Sequence, residues 1–292
     1  MNLIELWGLV RRVKPDVLHA HMTKSAVIAF PVAKLLGVPL ITCVQNSFSK
    51  YAKLMKLGAL VITGCNAVAD DMEKRGVPRN KLRPILNGTI GSVRGREEKE
   101  QAPAFAFQHP AVVTFCGMHS RKGIPDLIAG FQMARKSCPE MYLYLFGEGP
   151  ERDDFRKLVN ADNVPHITFC EPVPNAAPYL RAADVFVLAS LADPAPLVIC
   201  EAREAGLAII GTRVDGIPEL LEGGRAGILV EPRAPQEIAE KLVELCSDEE
   251  ALERWRGNSQ FRIDRLTVRR VAKESVEVYR EVARGVAVSV TS

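Results

Sequence analysis

A basic loop, a pair of glycines around a glutamate, and two carboxylates eight positions apart are where this 292-residue chain could do chemistry. In CGMHSRKGIPDLIAGF, residues 116–131, an apolar run ends, a short basic loop follows and a helical pattern begins near Ile124. Loop amides and a helix N-terminus attract anions, and Arg121 and Lys122 would add cationic partners for a phosphate. An ordinary turn with exposed basic residues fits the same stretch. In LYLFGEGPERDDF, residues 143–155, an apolar run meets Gly147-Glu148-Gly149. Glycines there let a ligand approach the backbone closely. The nicotinamide fingerprint needs a third glycine three residues on, where Arg152 stands, so a dehydrogenase is disfavoured. Asp193 and Glu201 share one loop-helix region, where carboxylates can accept hydrogen bonds from sugar hydroxyls. Gly216-Ile217-Pro218-Glu219 forms a further turn with proline near a helix start. Carboxylates at helix starts also serve as caps and dipole partners.

These residues need elements to hold them, and the apolar patterning supplies them. Strand-like runs at 17–21, 40–45, 60–65 and 83–86 alternate with helical patterns at 3–13, 25–36 and 66–75. Residues 91–110, GSVRGREEKEQAPAFAFQHP, are polar, then Ala/Pro-rich, and read as a linker. Alternation then resumes, with strands at 112–116, 142–146, 166–169, 185–188, 208–211 and 227–230. Helices are expected at 124–136, 151–159, 176–182, 198–205, 217–221 and 235–246, and a long amphipathic one at 267–282. Such alternation predicts parallel sheets with crossover helices. The expected division is a partial domain at 1–100 and a complete one at 107–285.

Composition is that of a globular protein, with 47% hydrophobic and 25% charged residues. The apolar runs are too short to span a bilayer, and the basic pair Arg11-Arg12 follows the first apolar stretch instead of preceding it, so no signal peptide is read. Seven cysteines, none in a CxxC pair and most inside apolar runs, read as reduced packing thiols of a cytoplasmic protein. The net charge of +3 divides unevenly: residues 1–106 carry 16 Lys/Arg against 8 Asp/Glu, and residues 107–292 carry 22 against 27. A basic first half suits an anionic surface or substrate, and equally a solvated surface.

Taken in order, GMHSRKG, GEGP, ADVFVLAS, DPAPLVICE, DGIPE and GGRAG resemble the C-terminal domain of family 4 glycosyltransferases, and KPDVLHAH, GVPLITCVQN, ADDMEKRGVP and LRPILNG resemble later segments of that family's N-terminal domain. The resemblance implies an α/β protein of the GT-B fold, two Rossmann-like domains with the N-terminal one truncated. It implies a retaining transferase that uses a UDP-sugar or other nucleoside-diphosphate sugar, without metal or cofactor. Lys122, with Arg121, would hold the diphosphate and stabilise the leaving group. Glu201 would bind the ribose hydroxyls, Asp193 and the amides after it, those of Leu197 and Val198, the donor sugar, and Pro172 and Val173 the base. Gly147 and Gly149 would line the donor. Gln45 stands where the family often has a histidine near the reacting sugar, and glutamine cannot exchange a proton there near neutral pH.

Other departures are Met118 in place of the loop arginine, and Pro194-Ala195-Pro196 where Gly-Phe-Gly is usual, which removes two backbone donors. His19 and His21 share one strand face, either packed or lining the cleft. The family's N-terminal domain opens with three further strands and a glycine-rich loop, so the expectation is a fragment or an incomplete enzyme, self-associating through residues 1–45. The acceptor is expected to be a glycan or lipid-linked molecule, with no nucleic acid partner, and Lys50–Lys56 reads either as a peripheral membrane contact or as a solvated helix after the strand end. A non-catalytic remnant that binds nucleotide-sugar is the rival reading.

Overall fold

Every strand pairing among the described residues is parallel, which requires a crossover on a sheet face between paired strands. The computed structural model describes residues 2–92 and 105–290. Most of the expected linker therefore lies outside the described residues. The chain divides into two compact units, Met1–Asn87 with the chain from Arg269 onward, and Gly88–Val268.

The first unit carries a four-stranded sheet in the order β1 (Leu18–His21), β2 (Leu40–Val44), β3 (Leu60–Thr63) and β4 (Leu82–Pro84). Helices α1 (Leu3–Val13), α2 (Thr23–Leu36) and α3 (Asn66–Lys74) belong to it. A capping box between Asn2 and Glu5 starts α1, and Gly37 in the left-handed region ends α2. β2 is buried along its whole length, as a central parallel strand must be, and LITCV has no polar alternation to contradict it.

The second unit is a six-stranded sheet ordered β10-β9-β8-β5-β6-β7, formed by β5 (Ala111–Phe115), β6 (Tyr142–Phe146), β7 (Ile167–Cys170), β8 (Val185–Leu188), β9 (Ala208–Thr212) and β10 (Ile228–Val230). The order reverses between β5 and β8, the switch point at which open α/β sheets bind ligands. Helices α4 (Ile124–Ala134), α5 (Arg152–Arg156), α6 (Ala177–Ala182), α7 (Leu197–Glu204), α8 (Ile217–Leu220), α9 (Pro235–Ser247) and α10 (Glu249–Ser259) complete it. One cluster of apolar side chains, including Val112, Phe131, Leu145, Val187 and Leu242, forms its core.

Two expectations are corrected. The last helix, α11 (Val268–Val290), had been placed with the second domain. Its chain from Arg269 groups with the first unit instead, because Val278 and Val282 are buried against Ile41, Cys43, Leu60 and Ile62. Helix α10 was not expected. Its sequence is polar around Trp255, and its start rests on Asp248, whose side chain accepts from the Ala251 amide at 3.0 Å.

Candidate functional site

The loops after β5 and β8 meet at the switch point, and they carry three of the expected residues, Arg121, Lys122 and Asp193. Lys122 ends a short 3₁₀ turn after β5 and forms an ion pair with Asp193 from the loop after β8. Both side chains are nearly buried. The same Asp193 oxygen accepts from Ser190 Oγ at 3.2 Å, and the Asp193 amide donates to the Asp215 carboxylate at 2.7 Å. The loops are also joined through backbone, since the Leu191 amide donates to the Arg121 carbonyl at 2.7 Å. Arg121 itself is exposed. Met118, at the position of the family's arginine, is fully buried in the core and has no access to a ligand.

Gly147 and Gly149 have a packing reason of their own. Gly147 has φ 141, and a Cβ there would lie 2.0 Å from the Cys116 carbonyl oxygen. At Gly149 it would lie 2.3 Å from the Met118 carbonyl oxygen. The close approach is made by the neighbouring loop's backbone, and the Met118 amide donates to the Glu148 carbonyl at 2.8 Å. Arg152, which had signified only a missing glycine, ties the end of β7. Its guanidinium donates to the Phe169 and Cys170 carbonyls at 3.1 and 3.0 Å and to Glu171 at 2.9 Å. That bond holds the Glu171 carboxyl below its ordinary value.

A cleft of about 650 Å³ lies within the second unit. Leu197 and Glu201 line it, together with Pro174, Asn175, Arg181 and Glu204. Of the expected donor residues, Pro172 and Val173 precede this lining in the chain, and Val198 follows Leu197 at the start of α7, where the first amides have no partner inside the helix. Lys122, Asp193, Gly147 and Gly149 are not among the lining residues of the cleft. Asn175, Arg181 and Glu204 were missed from sequence. Only Asn175 had a local signal, a polar turn residue after Val173-Pro174. Its Oδ1 accepts from the Ala177 amide at 2.9 Å, while its Nδ2 is buried without a hydrogen bond.

Arg203, two residues beyond Glu201, is completely buried. It donates to the carbonyls of Ser259, at 2.8 Å, Leu220, at 2.6 Å, and Phe261. Burial lowers its pKa, but the carbonyls take its charge-assisted bonds, and α7 is thereby fixed to the chain after α10.

In the first unit, Gln45 follows β2. Its Oε1 accepts from Asn87 Nδ2 at 3.0 Å, and its Nε2 donates to Cys43 Sγ at 3.2 Å. His19 shares a hydrogen bond of 2.8 Å with the Tyr279 hydroxyl, and burial with the nearby His21 pushes its pKa down to about 4. The Lys50–Lys56 segment is divided: Ala52 and Met55 are buried, while Tyr51 is half exposed, as is Phe48 just before it. Among the described residues no helix is long and apolar enough to cross a membrane.

Two Rossmann-like parallel α/β units, the second with charged residues at its switch point, are the architecture of GT-B glycosyltransferases. Residues 1–89 match Glycosyltransferase Family 4, and residues 109–248 match the family described as Glycosyl transferases group 1. Over 260 residues the chain is 36% identical to the N-acetyl-alpha-D-glucosaminyl L-malate synthase of Bacillus anthracis, covering 83% of this chain and 68% of that protein. It is 28% identical to the lipopolysaccharide core biosynthesis glycosyltransferase LpsE of Rhizobium meliloti, covering 82% and 68%. The crystal structure of Anabaena HepE in complex with UDP matches 96% of this chain and 82% of its own, with a TM-score of 0.80 at 19% identity. The chain belongs to the family 4 glycosyltransferases.

Proposed function

We propose that the chain moves a sugar from a nucleoside-diphosphate sugar, most simply a UDP-sugar, to a hydroxyl of a glycan or lipid-linked acceptor, with retention at the anomeric carbon. The observation that carries this reading is the meeting of Lys122 and Asp193 at the switch point between β5 and β8. A cation held at the carboxyl ends of parallel strands is placed for a diphosphate. Asp193 neutralises it until the donor arrives, and then turns to the sugar hydroxyls. Glu201 in the cleft accepts from the ribose hydroxyls, and the buried Nδ2 of Asn175 supplies a donor for a base carbonyl. UDP in the HepE complex supports the choice of base.

In the transfer, the bond from the anomeric carbon to the diphosphate oxygen breaks and a bond to the acceptor oxygen forms on the same face. Lys122 stabilises the negative charge that develops on the departing diphosphate. The acceptor proton passes to that phosphate oxygen, since Gln45 has no basic atom to receive it. The chemistry asks no metal of this step.

The half-exposed Phe48 and Tyr51 with Lys50, Lys53 and Lys56 suit a peripheral contact on the anionic cytoplasmic face of a membrane. Flotation with vesicles should recover more protein when acidic lipid is present, and equal recovery would remove this part of the reading. The function itself is tested by incubating the full chain with UDP-sugars and following the sugar released to water or acceptor by NMR. The first-formed product should keep the donor's anomeric configuration. An inverted first product would overturn the reading.

A further inference from the structure

We propose that His19, His21 and Cys43 form a three-ligand site for one thiophilic divalent cation such as Zn²⁺. One atom from each, a ring nitrogen or Sγ, lies within 4.8 Å of the others. The sequence places them by register. His19 and His21 are two apart on β1, so their side chains share a face, and His21 pairs directly with Cys43 on β2. The two imidazoles are already together, with ring centroids 4.3 Å apart.

Ligands at tetrahedral zinc stand roughly 3.3–3.8 Å from one another, given bonds of about 2.0–2.3 Å. Small side-chain rotations would therefore close the site. One thiolate with two imidazoles suits zinc, and oxygen-preferring cations such as magnesium do not favour it.

The surroundings are those of a ligand set. Nε2 of His19 is buried and makes no hydrogen bond, whereas its Nδ1 is engaged by the Tyr279 hydroxyl at 2.8 Å. A metal-binding histidine is commonly held in this way, by a partner on the nitrogen opposite the metal. Gln45 Nε2 donates to Cys43 Sγ at 3.2 Å, a contact that would stabilise a thiolate. His21 is exposed, so a fourth position can take water. A pocket of about 270 Å³, lined by His21, Cys43 and Gln45 among others, adjoins the cluster. All of these residues belong to the first unit, whereas Lys122 and Glu201 belong to the second.

The test is a Co²⁺ titration of the full chain after treatment with chelator and its removal. The expected result is saturation at one equivalent, with intense tetrahedral bands and a thiolate-to-cobalt charge-transfer band, both abolished by Zn²⁺. Cys43→Ser should remove the charge-transfer band, and His21→Gln, at an exposed position, should weaken binding at least tenfold. Zn²⁺ should raise the thermal midpoint of the unaltered chain and leave that of Cys43→Ser unchanged. Absence of saturable binding in the unaltered chain, or an unchanged charge-transfer band in a Cys43→Ser variant with native circular dichroism, would overturn the proposal.

Discussion

The Lys122 ammonium rests on the Asp193 carboxylate, and the same oxygen accepts from Ser190 Oγ at 3.2 Å. The two residues, 71 positions apart in sequence, join the loops after two central strands. Breaking a nearly buried pair leaves one charge uncompensated. Lys122→Ala should lower stability by about 3 kcal/mol, and it should also weaken UDP binding. Asp193→Asn should behave differently. With the neutralising carboxylate gone, Lys122 is left to the diphosphate, so UDP should bind at least as tightly while sugar transfer falls. Calorimetric titration of both variants, with denaturant unfolding, separates these outcomes. Loss of UDP affinity in both variants would contradict the assigned roles.

Arg203 is the clearest structural charge. Replacing it by methionine keeps much of the volume but leaves the carbonyls of Leu220, Ser259 and Phe261 without their donor. A loss of about 3 kcal/mol or more is expected, since each buried carbonyl left without a donor costs about 1–3 kcal/mol. Urea unfolding measures it. A change below about 1 kcal/mol would mean that the carbonyls find other partners.

The parallel alternation was legible because buried parallel strands read as short apolar runs: the expected limits 142–146 and 185–188 are those of β6 and β8. The basic loop and the GEGP turn were legible for the same reason, since they sit where β5 and β6 end. Contacts between distant segments were not. Arg203 reads as one more charge on an amphipathic helix until the chain at 259–261 returns to cover it. Lys122 and Asp193 were each assigned to a ligand, and their mutual pairing depends on β5 lying beside β8. The last helix joins the first unit because Val278 and Val282 find their apolar partners there, which amphipathicity alone does not specify.

Burial and electrostatics oppose each other at Cys116. The charges of Lys122 and Arg121 pull its thiol down, but desolvation prevails and pushes it up to about 11. Cys170 is likewise raised to about 11 and Cys246 to about 12 by burial. At pH 7.5 their thiolate fractions fall roughly 300-fold below that of an unperturbed thiol at Cys116 and Cys170 and roughly 3,000-fold at Cys246, so alkylation of the native chain should be slow at all three and slowest at Cys246. Raising the pH should accelerate it, and unfolding should expose all seven cysteines. Peptide mass spectrometry after timed iodoacetamide treatment resolves each residue. Cys116 labelling first would show that the neighbouring cations prevail over burial.

The central claim is that the second unit holds a nucleoside diphosphate through Lys122 and Glu201, and isothermal titration of the full chain against UDP, GDP and ADP with chelator present tests it most directly. The account predicts saturable binding of UDP at one per chain. Glu201→Ala should weaken it by about 1.5–3 kcal/mol, the worth of hydrogen bonds to a charged group. The affinity of the unaltered chain should fall with added salt, and that dependence should be shallower in Lys122→Ala. No binding of any of the three nucleotides, or UDP binding indifferent to both substitutions, would contradict it.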